Sequence, residues 1–364
     1  MRKAIIPALL SGLLVAACGG NNDSPSFLDQ KVALKSVIKV ANVGPQPGFD
    51  FDLGAVDGQT YYLADRTNKS LDIVDHATNS VVAQVPGFVG QFASNAVSGP
   101  NGIEIVGPRI YVGDGDSTVK VIDKATSKVI NVIATGGKKR ADAIVFDPDD
   151  NVVIVTNKNE AVPFISFIDP ATMAITGKLS IPSSQLDGAL YDPTTKKFLV
   201  SVTSTTANPG GEIDVIDPKT KAITAVYPVT ECLPGGLALG PSEHLLVACS
   251  GDAIDAGFAA KSLILNAATG AVLQTITQVG GSDQATYNPN DKKFYTASRD
   301  MTSNGLKTGS PTPVLGVIDA VNMVWLQNVA TAKNSKSVAV DAVNNLIYVP
   351  LTNSPGPGIG VYGY

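Results

Sequence analysis

Short apolar runs, each closed by a small polar turn, follow one another along most of the chain. In one stretch these runs are 143–146, 152–156, 164–168 and 174–181. They are rich in Val, Ile, Phe and Thr and are bounded by Pro, Gly, Asp and Asn, which is typical of β-strands. After the first 17 residues, no segment keeps a helical period of apolar positions. The pattern therefore predicts an all-β protein.

The strand pattern also repeats. One recurring segment consists of alternating apolar residues followed by an Asp or Asn. Its copies end at Asp75, Asp123, Asp169, Asp217, Asn266 and Asp319. A tight turn earlier in each unit recurs with the same period. It lies at Asp147-Pro148, Asp192-Pro193, Gly240-Pro241, Asn288-Pro289 and Asp341-Ala342. Four antiparallel strands at a period of roughly 40–50 residues are the pattern of a β-propeller blade.

The end of the chain predicts how many blades there are and how they close. The last unit has only three runs, 337–340, 346–350 and 358–362. Residues 36–44 have the layout of the missing outer strand, and pairing it there would remove two open sheet edges. We therefore predict that residues 31–364 form a seven-bladed β-propeller of four-stranded antiparallel blades, in which an N-terminal strand completes the last blade.

Several short sequence segments resemble the repeats of a known protein family. Arg109-Ile110-Tyr111-Val112-Gly113, followed by Ser117-Thr118-Val119-Lys120-Val121-Ile122-Asp123, resembles the repeats of YVTN-type seven-bladed propellers, and Leu346-Ile347-Tyr348-Val349 matches as well. Proteins of that type are bacterial and archaeal surface and periplasmic repeat proteins. The resemblance implies the fold, but propellers host enzymes, scaffolds and receptors alike.

The first residues predict where the protein is located in the cell. Arg2 and Lys3 precede an apolar stretch that is too short to cross a bilayer. Val15-Ala16-Ala17-Cys18 resembles a bacterial lipobox, so we expect a cleaved signal peptide at 1–17, a lipidated (palmitate-bearing) Cys18 and a tether at 18–30. Gly19, where lipoproteins retained in the inner membrane have Asp, favours the outer membrane, facing the periplasm or the cell surface. The alternative is a plain secretory signal with an incidental cysteine.

Composition narrows the classes of function. The chain is 44% hydrophobic and only 16% charged, which argues against disorder. Its net charge of -5 argues against nucleic acid as a partner, since phosphate binding needs a basic face. Low charge also agrees with strands that are buried between neighbouring blades.

The predicted binding face lies at one mouth of the central channel. In a propeller, the first strand of each blade lines the channel, and the loops between strands two and three lie at the end where that strand begins. Those loops are long here, at 203–212, 250–261 and 298–313, and long loops on a rigid scaffold tend to carry function. The candidate residues at this mouth are Asn101, Arg140, Asp142, Asp187, Asp283, Gln284 and Lys336, with Asp52 and Gly235 at equivalent positions.

Two interpretations of the acidic residues stay open. Asn101, Asp142, Asp187 and Asp283 could hold calcium through oxygen ligands, and they resemble in type the ligands of metal-dependent propeller lactonases, although the Glu of that set has no clear match. Alternatively, each Asp caps local backbone N–H groups or contacts channel water. His76 and His244 fall on the other face, so no His acid or base is expected at the mouth, and no catalytic residue is assigned.

Two cysteines remain if Cys18 is lipidated. Cys232 precedes the first strand of the fifth blade, and Cys249 ends its second strand. Because those strands are antiparallel, both residues should lie near the same face, and an oxidising compartment permits a disulfide between them. The alternative is a pair of buried thiols.

These observations favour one function and leave a second open. The first is a lipid-anchored envelope protein whose propeller is a non-catalytic binding or scaffold module for an envelope protein or a small ligand. The second is a calcium-dependent hydrolase of lactonase type. An electron-transfer or quinoprotein role would need cofactor ligands that the sequence does not supply.

Overall fold

The computed structural model describes residues 30–44, 48–353 and 356–364, so the expected signal peptide, Cys18 and nearly all of the tether lie outside it. Within Lys31–Tyr364 the chain forms seven sheets, each of four antiparallel strands. The described residues contain no helix that is both long enough and apolar enough to span a membrane.

The first four blades follow one another without a break in order. Blade 1 comprises β2 (Phe51–Asp57), β3 (Thr60–Asp65), β4 (Ser70–Asp75) and β5 (Ser80–Pro86). Blade 2 comprises β6 (Ile103–Val106), β7 (Arg109–Gly113), β8 (Thr118–Asp123) and β9 (Lys128–Ala134). Blade 3 comprises β10 (Ala141–Asp147), β11 (Val152–Asn157), β12 (Phe164–Asp169) and β13 (Ala174–Ser180). Blade 4 comprises β14 (Leu186–Asp192), β15 (Lys197–Val202), β16 (Glu212–Asp217) and β17 (Ala222–Pro228).

The last three blades complete the ring. Blade 5 comprises β18 (Pro234–Leu239), β19 (His244–Cys249), β20 (Ser262–Asn266) and β21 (Val272–Ile276), with the short helix α1 (Gly251–Asp255) between β19 and β20. Blade 6 comprises β22 (Gln284–Asn288), β23 (Lys293–Ser298), β24 (Val314–Asp319) and β25 (Val324–Ala330). Blade 7 comprises β26 (Ala339–Asp341), β27 (Leu346–Leu351), β28 (Gly358–Gly363) and, as its outer strand, β1 (Ala33–Ile38). Two 3-10 turns lie at Asn95–Val97 and Pro241–Glu243.

The ring closes as predicted, but the closing strand lies earlier than the predicted 36–44. β1 runs antiparallel to β28, with Ala33 opposite Gly363 and Ile38 opposite Ile359. Because β28 offers only six residues for pairing, the ladder ends at Ile38. Gly44, the last residue of the predicted range, therefore lies in the loop that follows β1.

The hydrophobic core is divided among the interfaces between blades. Seven clusters of buried side chains each join two neighbouring blades. Where blade 7 meets blade 1, the ring of Tyr61 stacks on that of Tyr348, with centroids 4.6 Å apart. Strands buried on both sides leave few places for charge, which accounts for the low charged fraction of the chain.

The repeated Asp residues build turns. The side chains of Asp75, Asp169 and Asp217 each accept a backbone N–H from two residues further on, at 2.8–2.9 Å. Four residues after the Asp, the backbone takes a positive φ, as at Met173 (54°) and Lys221 (54°). The Asp side chain stabilises this turn by accepting a hydrogen bond from its backbone N–H group. This role explains why an Asp recurs at the end of the third strand in successive blades.

A disulfide joins the start and the end of one hairpin in blade 5. The sulfur atoms of Cys232 and Cys249 are 2.10 Å apart, and their Cα atoms are 4.5 Å apart. Both residues are buried, and Ser250 N donates to Cys232 O at 3.2 Å. The bond therefore fixes the chain where it enters and leaves the channel-mouth face of this blade.

Replacing both cysteines with Ala should lower the free energy of unfolding. The bond closes a loop of 17 residues, and losing that restraint on the unfolded chain should cost about 3 kcal/mol. Urea unfolding of the wild type and of Cys232→Ala/Cys249→Ala measures this cost. A reductant should destabilise only the wild type; equal loss in both proteins would contradict the prediction.

Candidate functional site

Two equivalent positions in every blade meet at one mouth of the channel. They are the start of the first strand and the first residue after the second strand, which adjoin because the strands are antiparallel. The first position holds Asp52, Asn101, Asp142, Asp187, Gly235, Asp283 and Lys336 around the ring. The second holds Arg66, Asp114, Lys158, Thr203, Ser250, Arg299 and Thr352.

Eight of these fourteen residues line a cavity of about 210 Å³. Six of the seven sequence-predicted mouth residues line it, together with Asp52: Arg140, Asp142, Asp187, Asp283, Gln284 and Lys336. Asn101 does not line it. Its buried amide donates to Ala141 O at 3.0 Å and accepts a hydrogen bond from Arg66, so it supports the wall instead.

The prediction missed the cations of the second position. Arg66, Lys158 and Arg299 each follow the second strand of their blade and turn toward the mouth. The signal was present in the sequence, because aligning the repeats on the ends of their second strands brings these residues into register with Ser250 and Asp114. Without that alignment, nothing distinguishes Arg66, Lys158 and Arg299 from other charged residues in loops.

Asp52 is shared by three cations. Its Oδ2 accepts a hydrogen bond from Arg66 and lies 3.4 Å from Nη1 of Arg140, and its Oδ1 lies 3.6 Å from Nζ of Lys336. Burial would raise the pKa of Asp52, but the charges of Arg66 and Lys336 outweigh it and hold that pKa below its usual range. One carboxylate thus serves as counter-ion to three positive groups.

A second group of ions continues around the ring. Arg140 Nη2 lies 3.3 Å from Asp142 Oδ2, and Lys158 Nζ lies 3.5 Å from the same oxygen. Lys158 Nζ also lies 2.7 Å from Asp187 Oδ2. Burial works against the charge of Lys158, but Asp187 and Asp142 outweigh it and raise its pKa. Burial raises the pKa of Asp187 to about 6, even though Lys158 opposes the rise.

Blade 6 supplies the last ion pair of the mouth. Arg299 Nη1 lies 3.6 Å from Asp283 Oδ2, and its Nε donates to Asp300 Oδ2 at 3.0 Å. Burial would raise the pKa of Asp283, but Arg299 outweighs it and lowers that pKa. Asp283 in turn raises the pKa of Arg299. Both side chains are half-buried, so they form the solvent side of the cavity.

Amide groups fill the spaces between the ions. Asn95 Oδ1 accepts hydrogen bonds from Arg66 at 2.7 Å and from Arg140 at 3.1 Å. Gln284 Oε1 accepts from Ser337 Oγ and from the backbone N–H of Val338, which fixes the orientation of its amide at the cavity wall. The lining is polar, and no aromatic ring belongs to it among the described residues.

The carboxylates that could have held a metal ion are already in contact with cations. Asp142 and Asp187 both face Lys158, and Asp283 faces Arg299. A calcium ion at Asp142 and Asp187 would have to displace that ammonium group or bind beside it against charge repulsion. In the part of the chain that the structure describes, no three His, Cys, Asp or Glu side chains lie close enough to hold a metal ion.

The two histidines lie away from the mouth. His244 begins β19, and its Nδ1 is 2.7 Å from Ala320 O. His76 sits in the turn between β4 and β5, and its Nδ1 is 3.4 Å from the hydroxyl oxygen of Tyr348. Both turns are at the opposite end of the strands from the cavity, so imidazole chemistry cannot act there.

Comparison with known proteins identifies the fold alone. No protein-family model and no curated protein matches the sequence. Among solved structures, Kuenenia stuttgartiensis hydrazine synthase matches at 18% identity over 68% of this chain and 80% of that chain, with a TM-score of 0.57. A chain of the crystal structure of the mitotic checkpoint complex matches at 13% identity over 98% and 99%, with a TM-score of 0.66. This chain is a seven-bladed β-propeller.

The carboxyl group of Asp187 should titrate near pH 6. The folded protein then binds more protons at this group than the unfolded chain does between about pH 4 and 6, so this group makes stability fall as pH rises through that window. Lys158→Met should raise the midpoint, because Lys158 is the main charge that opposes the shift. Carboxyl-carbon NMR in both proteins measures the midpoint.

Asp217 supplies the control for this titration. Its pKa is lowered to about 2, chiefly by a hydrogen bond from Lys197 on the opposite face. Its midpoint should therefore not move in Lys158→Met. An Asp187 midpoint near 4 in the wild type would contradict the prediction.

Proposed function

We propose that this chain is an envelope-anchored bacterial lipoprotein whose YVTN-type propeller is a non-catalytic binding or scaffold module. Lipid on Cys18 would hold it in a membrane, the outer membrane being favoured by Gly19, and residues 18–30 would serve as a tether. The channel-mouth face, with its long loops, would receive an envelope protein or a small ligand.

The charged cavity is the observation that carries this proposal. It is open to solvent, the long loops 250–261 and 299–313 contribute residues 250–252 and Arg299 to its lining, and its ions hold one another in fixed positions. A hydrolase would need a free base, a nucleophile with a base beside it, or a metal-held water. Asp142 and Asp283 lie beside Lys158 and Arg299 and are suited to orient a ligand. Asp187, whose pKa burial raises to about 6, is the mouth carboxyl that could exchange a proton, but no nucleophile is assigned beside it among the described residues.

The calcium-dependent hydrolase is the competing hypothesis, because Asp142, Asp187 and Asp283 do line one cavity. This hypothesis requires calcium to displace Lys158 and Arg299 from these carboxylates. Calorimetric unfolding with and without millimolar calcium separates the two hypotheses. The binding module predicts no calcium-dependent change, whereas a Tm several degrees higher in calcium, or turnover of a lactone, would contradict it.

Cys18→Ser should release the protein from the membrane. Without the thiol no lipid can be attached, and the described residues offer no helix that could anchor the chain instead. In the native host, palmitate labelling and detergent-phase partition of the wild type and of Cys18→Ser test this. Unchanged partition of the variant into the detergent phase would argue against the anchor.

Neutralising the mouth carboxylates should weaken capture of a partner. We expect Asp142→Asn/Asp187→Asn/Asp283→Asn to lose most of the material that crosslinks to the wild type in native membranes. The matched control is Asp75→Asn/Asp149→Asn/Asp150→Asn, which removes the same charge from the short-turn face. Circular dichroism confirms that each variant folds, and equal loss in both variants would show that capture does not depend on the mouth.

A further inference from the structure

We infer that the channel-mouth cavity binds a small hydroxylated organic oxyanion, with its anionic group beside Lys336 and Arg299 and its hydroxyl groups against the amides and carboxylates of the wall. This inference rests on the proposed binding function and names the class of small ligand. It is carried by the under-compensated ammonium group of Lys336, which lies among the most buried cations of the mouth and lines two adjoining cavities.

Positive charge exceeds negative charge where the mouth is most buried. The side chains there that are less than one-tenth exposed are the cations Arg66, Arg140, Lys158 and Lys336 and the carboxylates Asp52 and Asp142. Adding the half-buried Asp50, Asp187, Asp283 and Arg299 balances the two signs over the mouth as a whole, so the positive excess is local to its most buried side chains. The remaining acids of the rim, Asp252 and Asp300, are exposed and therefore screened by water. A buried excess charge is unfavourable until a counter-ion joins it.

Lys336 is the cation with the weakest compensation. Its one ionic contact among the described residues is Asp52 Oδ1 at 3.6 Å, which is longer than a hydrogen bond, and Asp52 is engaged by Arg66 and Arg140 as well. Burial lowers the pKa of Lys336 to about 8, and the charge of Arg66 adds to the effect. The ammonium group of Lys336 has three N–H donors, and none of them donates a hydrogen bond to the described residues.

The position of Lys336 makes those donors reachable. Lys336 and Arg299 line both the 210 Å³ cavity and an adjoining cavity of about 390 Å³, which also contains Arg66. An oxyanion between the two side chains would receive charge-assisted hydrogen bonds, and Arg299 can present two donors to one carboxylate or phosphate.

Two side chains of the cavity wall carry buried polar atoms that have no partner in the described chain. Ser250, a residue that is 9% exposed, lines the cavity, and its hydroxyl oxygen has no hydrogen-bond partner among the described residues. Nε of Arg140 is likewise buried and unpartnered within the described chain. Both atoms are closed off from the open cavity, so a ligand there could bond to them only if the side chains turned toward it.

The lining sets the size and polarity of the ligand. By itself the 210 Å³ cavity is smaller than the roughly 300–1,000 Å³ typical of sites for drug-sized molecules, and none of its described lining residues is aromatic. The adjoining 390 Å³ cavity is lined by Phe49, Phe51 and Phe92, so the hydroxyl groups are placed on the side of the smaller, polar cavity. Its amides are Asn95, Asn159, Gln185 and Gln284, and its carboxylates can accept hydroxyl groups. A compact molecule with several hydroxyls and one anionic group fits this chemistry.

Three probes with similar bodies test the inference on the purified full chain at pH 7 and low salt. Gluconate carries a carboxylate, glucose 6-phosphate carries a phosphate, and glucose carries no charge. We expect at least one of the two anions at 10 mM to raise Tm by several degrees and glucose to leave it unchanged. Whichever anion binds identifies the group, and titration calorimetry gives its affinity.

Variants at one lysine separate a binding role from a structural role. Lys336→Met should weaken anion binding at least tenfold, Lys336→Arg should retain it, and Lys128→Met on the exposed outer strand β9 is the matched control that should bind as the wild type does. Lys336→Met itself should unfold at the same or a higher temperature than the wild type, because it removes a buried charge that is poorly compensated.

Two results would overturn the inference. One is that neither anion shifts Tm, and the other is that both shift the wild type and Lys336→Met equally. Either result leaves the proposed function intact if mouth-dependent capture in native membranes persists. Loss of that capture, with anion binding retained, would overturn the scaffold role for a macromolecule and leave a small-ligand site.

Discussion

The hydrogen bonds between β1 and β28 hold together the first and last described strands of the chain. Without them, blade 7 would have three strands, and β28 would present an open edge to solvent. The pairing also brings Val32 into the cluster between blades 6 and 7, and Ile38 and Val40 into the cluster between blades 7 and 1. The other six blades are each formed by consecutive strands, so this ladder and the packing of blade 7 against blade 1 together close the row of blades into a ring.

Closure of the ring creates the mouth cavity. The start of the first strand and the residue after the second strand adjoin at the mouth end of each blade, and the closed ring brings eight of these fourteen residues to one cavity. The strands and the Asp turns are constrained by packing and by backbone hydrogen bonding, so these two positions are where blades can differ. They hold Asp, Asn, Gly, Lys, Arg, Thr and Ser in this chain.

The charges of the mouth form a network in which Asp52 is the shared counter-ion of Arg66, Arg140 and Lys336. Such a network costs desolvation energy and is weak evidence for stability by itself. Its value is orientation, because each guanidinium or ammonium group is held at a known place on the cavity wall. This arrangement favours recognition of a polar molecule, and it leaves Lys336 as the group with most to gain from a bound anion.

The sequence by itself determined the class, the number of blades and the closure of the ring, because strand periodicity and Asp turns are local properties that repeat within each unit. It also brought Asp142, Asp187, Asp283 and Lys336 to one mouth, since equivalent positions in a propeller face the same axis. The exact end of β1 was decided by how many residues β28 offers for pairing. The ion pairs were decided only by the tertiary structure: Lys158 reaches Asp187 from another blade, and Asp52 gathers cations from blades 1, 3 and 7. Contacts between side chains of different blades depend on distances across the channel, and a one-dimensional repeat does not contain those distances.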